Sequence, residues 1–280
     1  MKARTDKGTK GDPQTAITAT TAATGQATGE RTEERHKDIY EDYWDVYYKD
    51  VQRLRRELAT RPAVGGEVGV LWLSFYDAFR ERMVRDILDD IGADKGTTIL
   101  DIGCGHTMFT RIYAQDECPK VTGVDIAENV LEYQRKAFPY MEFVQGNAQD
   151  LELDGNWDVV HAGEVVEHLF HPYRAMDRWC KYVEKKDGWM IITTPTPTLK
   201  VPSEQHVSFV SMADVARTLR NNGMELVRAH GIVPFMPFVA NWILKMGSVK
   251  SRDRVYEWYA HLPYKYPTLA AHAVYVGHKP

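Results

Sequence analysis

The chain has 280 residues, 44% hydrophobic and 26% charged, enough to bury one sizeable core and to form one large domain with appendages. Its 35 Lys and Arg against 39 Asp and Glu leave a net charge of -4, which supplies no basic field for a phosphate backbone and disfavours nucleic acid as the partner. Cys104, Cys118 and Cys180 make neither a disulfide framework nor a zinc pattern, and the chain start lacks the apolar run of a signal peptide. The longest apolar run, residues 229–244, holds Pro234, Pro237 and Asn241 and falls short of the roughly 20 residues that cross a bilayer. A reducing, cytoplasmic setting is the expectation.

Residues 1–35 are rich in Thr, Ala and Gly and carry too little apolar surface to offset ordering, so a disordered tail is expected there. Tyr40, Trp44, Tyr47, Val51, Leu54 and Leu58 then recur at spacings of three and four, which predicts an amphipathic helix ending before Pro62 and Gly65-Gly66. A second helical pattern follows in Phe75, Phe79, Met83, Ile87, Leu88 and Ile91. From Thr98 the rhythm becomes strand, glycine turn, helix, strand. Apolar runs at 98–102, 120–125, 141–145, 157–162 and 188–194 predict buried strands of a parallel sheet covered by helices on both faces. Two more strands are predicted at 224–230 and 272–278, flanking an aromatic-rich insertion at 231–269.

The chemistry-bearing segments lie at the ends of three successive strands. Asp101-Ile102-Gly103-Cys104-Gly105 leads from the first strand towards a helix expected at 108–114, and its glycines let backbone N–H groups approach a ligand. Position 108 is Met, not the third glycine of the dinucleotide fingerprint, which counts against a nicotinamide oxidoreductase. Asp125 ends the second strand, where a carboxylate can accept hydrogen bonds from a ribose diol. After the third strand, Asn147 and backbone groups around Ala148 are placed to read the edge of an adenine.

The ordered set ILDIGCG, VTGVD, FVQGNAQDL, WDVVHAGEVVEHL and WMIITTPTP resembles the class I S-adenosylmethionine-dependent methyltransferases, over roughly residues 85–230. GEVVEHLFHP, TTPTPTL and EQHVSFVSMADV look most like the subgroup containing the ubiquinone-biosynthesis O-methyltransferases. The resemblance implies a Rossmann-like, mixed seven-stranded α/β sheet with helices on both faces and an antiparallel last strand. It implies that Asp101, Gly103 and Gly105, with Cys104 in the same turn, surround the methionine part of the cofactor, that Asp125 holds the ribose and that Ile126 packs on adenine. Asn147 stands where many relatives carry Asp, and its amide oxygen can still accept from the adenine amine. Residues 36–92 are then helices covering the active site, and 93–280 the methyltransferase domain.

For catalysis, Glu164, Glu167 and His168 are expected at i, i+3 and i+4 on one helical face beside the transferred methyl, with Glu164 also touching the cofactor. They fit either a general base on an acceptor hydroxyl or a divalent metal site, the E-x-x-E-H pattern resembling the metal-binding one of the ubiquinone enzymes. His206, after the proline-rich loop, is a second base candidate. His161, His171, His230 and His272 lie in or beside strands and are read as packing residues. The acceptor is expected to be a small molecule, sugar or lipid-linked compound. N- or C-methylation and a non-catalytic cofactor-binding scaffold are the alternatives. The aromatic insertion, with Lys245, Lys250, Arg252 and Arg254, suits an acceptor roof, a peripheral membrane contact or a second copy of the chain.

Overall fold

The structure, a computed structural model, describes residues 52–61, 67–184, 186–197, 206–234 and 237–280. The expected tail, most of the first amphipathic helix, Pro62 with Gly65-Gly66, and the loop segment at 198–205 lie outside the described residues.

Two helices, α1 (Gln52–Leu58) and α2 (Glu67–Asp90), precede the sheet. Its strands are β1 (Thr98–Ile102), β2 (Lys120–Asp125), β3 (Glu142–Gln145), β4 (Val159–Gly163), β5 (Gly188–Pro195), β6 (Glu225–Pro234) and β7 (Ala270–Lys279). They lie in the order β3-β2-β1-β4-β5-β7-β6, parallel except for β7, which is antiparallel to both β5 and β6. The remaining helices are α3 (Phe109–Ile112), α4 (Glu128–Ala137), α5 (Pro172–Tyr182), α6 (Met212–Asn221), α7 (Pro237–Leu244) and α8 (Val249–Ala260).

Continuous apolar strands are what a sheet covered on both faces requires, and the two-residue repeat divides them between two cores. Ile99, Val159, Ile191 and Val274 join Leu88 of α2 and Phe109 of α3 in one core; Leu100, Val160, Ile192 and Tyr275 join Trp179 of α5 and Leu219 of α6 in the other. α6 starts where a Ser211–Asp214 capping box satisfies its first N–H groups.

Three elements differ from the sequence-based expectation. β6 continues through Gly231 to Pro234, because these residues pair with the start of β7, so the aromatic segment leaves the sheet later than predicted. α3 is one turn long, since Tyr113 is already extended. The stretch after β4 forms only a three-residue 3-10 helix, Val166–His168, instead of a longer helix carrying three ionisable residues on one face.

The aromatic segment packs on the N-terminal helices. Tyr256 of α8 stacks on Phe75 of α2 at 4.5 Å between ring centroids. The fully buried Arg252 guanidinium donates to the Leu58 and Arg61 carbonyls at 3.3 Å and to Asp253 at 2.7 Å. It thereby caps carbonyls that α1 leaves open at its C-terminus. The opposite surface of α7 and α8 leaves Phe238, Trp242 and Trp258 largely exposed, the feature on which a membrane or second-copy contact would rest.

Arg252→Met keeps most of the volume and removes the charged donors, and should cost about 2–3 kcal/mol in urea unfolding. Wild-type stability in that variant would show that the α8–α1 tie is energetically idle.

Candidate active site

The site lies at the C-terminal ends of β1 and β4, where the strand order reverses and an α/β sheet opens a crevice. The turn leaving β1 uses Gly103 at φ 65° and Gly105 at φ 46°, the left-handed region that a glycine enters without strain. A Cβ on Gly103 would overlap the Val165 side chain, so the turns leaving β1 and β4 lie in direct contact.

Asp125, at the end of β2, is 7% exposed and is held from both sides: Oδ2 accepts from the Gly105 N–H at 2.8 Å and Oδ1 from the Ala127 N–H at 2.9 Å. Burial raises its carboxyl on balance, with the N–H groups of Ala127, Gly105 and Ile126 acting the other way. Each oxygen keeps a second lone pair for a ligand. Gln134 of α4 donates to the Gly105 carbonyl at 3.0 Å and locks the same turn.

Other expected cofactor residues are partly spent on the scaffold. Asp101, 3% exposed, accepts from the Thr107 hydroxyl at 2.6 Å and lies 2.7 Å from His161 Nδ1, its partner across the β1–β4 register. Asn147 turns its amide oxygen to the Gln149 N–H at 2.9 Å, closing a local turn instead of pointing that oxygen outward. The Ala148 carbonyl accepts from the Trp179 indole at 2.8 Å. Cys104 is buried against Gly123, and burial, then the charges of Asp125 and Asp101, raise its thiol well above the usual range. Ile126 remains partly exposed beside Asp125.

The ionisable residues after β4 fall into two groups. Glu164 adopts φ 57°, unusual for a residue with a side chain, while its N–H donates to the Thr193 carbonyl of β5 at 2.8 Å. This conformation sends its carboxylate across β5 to His272 of β7, with Oε2 2.8 Å from Nδ1. Burial opposes the Glu164 charge, yet the charge and hydrogen bond of His272, then Arg80 and the Tyr76 hydroxyl, hold its carboxyl down at about 2. Glu167 has the opposite fate. Burial, and then the Glu164 charge, push its carboxyl well above the usual range, although Thr194 donates to it at 3.2 Å.

Glu164 therefore does not join Glu167 and His168. Glu167, His168 and His206 do meet: one donor atom from each lies within 4.8 Å of the others, and the His168 and His206 rings are 5.2 Å apart. The main chain explains the meeting, because the Glu167 carbonyl accepts from the N–H groups of Val207 and Ser208. Burial lowers the His206 imidazole, with the Glu164 charge acting the other way.

Sequence reading missed Tyr76 and Arg80 in this region, and its reading of His272 as a packing residue is corrected by the 2.8 Å contact with Glu164. The Tyr76 ring of α2 lies 4.3 Å from that of His272, and Arg80 sits over Tyr76 at 5.6 Å. A signal for His272 did exist. An antiparallel last strand begins where the parallel strands end, which puts its first residues at the ligand edge.

A family described as "Methyltransferase domain" matches residues 76–237, more than half of the chain. Ubiquinone biosynthesis O-methyltransferases are similar: that of Nitrobacter winogradskyi is 29% identical over 174 residues, 53% of this chain and 64% of the relative. That of Neisseria meningitidis serogroup C is 26% identical over 176 residues, 52% and 71%. The mitochondrial enzyme of Dictyostelium discoideum is 24% identical over 180 residues, 53% and 56%, so the match spans little more than half of that relative. Among solved structures, the magnesium protoporphyrin IX methyltransferase of Synechocystis with bound SAH aligns at a TM-score of 0.56 and 15% identity, covering 87% of this chain and 100% of its own. The [4+2]-cyclase SpnF aligns at 0.52 and 15%, covering 86% and 96%, so this fold also carries a different reaction. On the family match the chain belongs to the methyltransferase-domain family, and its seven-stranded sheet with β7 inserted antiparallel is the class I S-adenosylmethionine-dependent methyltransferase fold.

Proposed function

We propose that the chain methylates a hydroxyl of a small-molecule, sugar or lipid-linked acceptor. The observation that carries this reading is the set of carboxylates and imidazoles gathered at the switch point, Glu164 with His272 and Glu167 with His168 and His206. Bound S-adenosylmethionine supplies a methyl group that is already electrophilic, so the protein has little to do on the donor side beyond holding it. A neutral hydroxyl must lose a proton as it is methylated, and that is the task for which such groups are useful. The similarity to enzymes named O-methyltransferases supports the same choice.

Each side chain has a part in this reading. The Gly103–Gly105 turn and Asp125 hold the donor, the carboxylate taking the ribose hydroxyls on its spare lone pairs. Val165, wedged on Gly103, fixes the distance between donor turn and acceptor wall. Trp72 and Tyr76 of α2, stacked at 5.5 Å, line the side facing His272 and would exclude water from the acceptor. N- or C-methylation would use the same donor site, and a scaffold would bind cofactor without transfer. A panel of phenols, sugar and lipid alcohols, amines and carbon acids separates them: methyl transfer confined to the amines or carbon acids would sink the hydroxyl reading.

A second reading adds a divalent ion, and the Glu167–His168–His206 grouping favours it. The donors fit in kind, since mixed imidazole and carboxylate sets suit zinc or manganese. An ion there would lower the pKa of a coordinated hydroxyl and ease its deprotonation. The proton that burial keeps on Glu167 would have to leave first.

Two measurements bear on these assignments. Asp125→Ala should weaken S-adenosylmethionine binding about thirtyfold or more in calorimetry, equivalent to about 2 kcal/mol for hydrogen bonds to a charged acceptor, with the fold retained by circular dichroism. Unchanged affinity would remove Asp125 from the ribose site. After chelator treatment, titration with Zn²⁺ or Mn²⁺ should give a one-to-one binding heat that His206→Ala abolishes; a flat titration of the wild-type protein would discard the ion.

A further inference from the structure

We propose that His272 and Glu164 form a carboxylate–imidazole dyad in which His272 Nε2 removes the proton of the acceptor hydroxyl and Glu164 is the positioning residue. This inference rests on the O-methylation reading and says which group acts as base within it.

Four observations converge on the pair. The first is the bond itself. With Nδ1 facing Glu164 Oε2 at 2.8 Å, the proton is held on Nδ1, and Nε2 is the nitrogen that keeps a lone pair for another partner. A carboxylate behind an imidazole also stabilises the imidazolium that forms when the proton arrives. The second is conformational. Glu164 holds φ 57°, where glycine would be relaxed, and strained backbone of this kind persists where the surrounding structure imposes it, commonly at functional sites.

The third is the cost of the arrangement. His272 and Glu164 are 8% and 18% exposed at their side chains, and a well-packed apolar pair would be at least as stable in that position. Packing alone therefore does not account for a carboxylate–imidazole hydrogen bond between the end of β4 and the start of β7. The fourth is the company the pair keeps. Tyr76 Oη, Arg80 Nε and Glu164 Oε1 are all buried without a hydrogen bond of good geometry, although Tyr76 and Arg80 both act on the Glu164 charge. Among the described residues ten buried side-chain atoms are in this state, and three of them belong to this carboxylate and the two side chains that act on it. The ring of His272 lies against Tyr76 at 4.3 Å and near Trp72 at 6.0 Å, both of α2.

Position completes the case. Glu164 directly precedes Val165, whose methyls rest on Gly103 of the donor turn. His272 pairs with Pro195 at the C-terminal end of β5, on the ligand edge of the sheet. In the transfer, the acceptor oxygen forms its bond to the methyl carbon, and the S–CH3 bond breaks with its electron pair staying on sulfur to leave a neutral thioether. The hydroxyl proton passes to His272 Nε2, and the new imidazolium is balanced by the Glu164 carboxylate.

The test compares catechol with 4-nitrocatechol as acceptors, at a pH between their two acidities, so that one arrives neutral and the other already ionised. His272→Asn should slow methylation of catechol about a hundredfold or more, the usual worth of a general base. It should slow methylation at the ionised hydroxyl of 4-nitrocatechol, the one para to the nitro group, by less than about fivefold, because that oxygen has no proton left to lose. Glu164→Gln should show the same selectivity with a smaller loss, and calorimetry with S-adenosylhomocysteine should give His272→Asn the wild-type affinity. Equal losses on both acceptors, or none on either, overturn the dyad and leave O-methylation standing. No transfer by the wild-type protein to either phenol or to the alcohols of the wider panel overturns O-methylation itself, and the dyad with it.

Discussion

The contact between the turns that leave β1 and β4 is the constraint on which the rest of the site depends. Gly103 has no side chain because Val165 occupies that space, and both residues follow directly from strands that are neighbours in the sheet. One consequence runs to the donor side, where the left-handed glycines aim the Gly105 N–H at Asp125. The other runs to the acceptor side, because Val165 sits between Glu164 and the 3-10 turn that carries Glu167 and His168. A larger residue at position 103 would therefore disturb the cofactor cradle and the ionisable wall together.

The wall itself is organised by electrostatics in a confined space. A half-buried and a buried carboxylate three residues apart cannot both ionise cheaply, and the structure resolves this by giving them different partners. Glu164 receives His272, Arg80 and Tyr76 and stays charged; Glu167 receives a threonine hydroxyl and the repulsion of Glu164, and is driven towards its neutral form. Two carboxylates whose environments push them apart in this way can serve different tasks, as the dyad proposed for Glu164 requires.

Enclosure comes from elements outside the family match at one end and near its edge at the other. α2 brings Trp72, Tyr76 and Arg80 to the strand β7, while the aromatic segment of α7 and α8 clamps α1 and α2 through Arg252 and the Phe75–Tyr256 stack. These contacts come from parts of the chain outside the common sheet, where proteins of one fold are free to differ.

Much of the sheet is legible in the sequence. β1 and β2 stand at the predicted residues, since each is a local pattern, the continuous apolar run of a doubly covered strand. The glycine turn and Asp125 are legible for the same reason, as each is placed by the strand immediately before it. The expectation of Glu164, Glu167 and His168 on one face assumed a helix that the positive φ of Glu164 precludes, and a spacing of three and four carries no information about that angle.

By itself, then, the sequence determined the strand succession, the cofactor turn and the methyltransferase class, because these depend on residues adjacent in the chain. Only the tertiary structure decided that Glu164 meets His272, 108 positions away, and that His206 replaces Glu164 beside Glu167 and His168. The reason is topological: β7 enters antiparallel between β5 and β6, which brings its first residues to the ends of the parallel strands, and a contact made by that insertion leaves no periodic trace in either segment it joins.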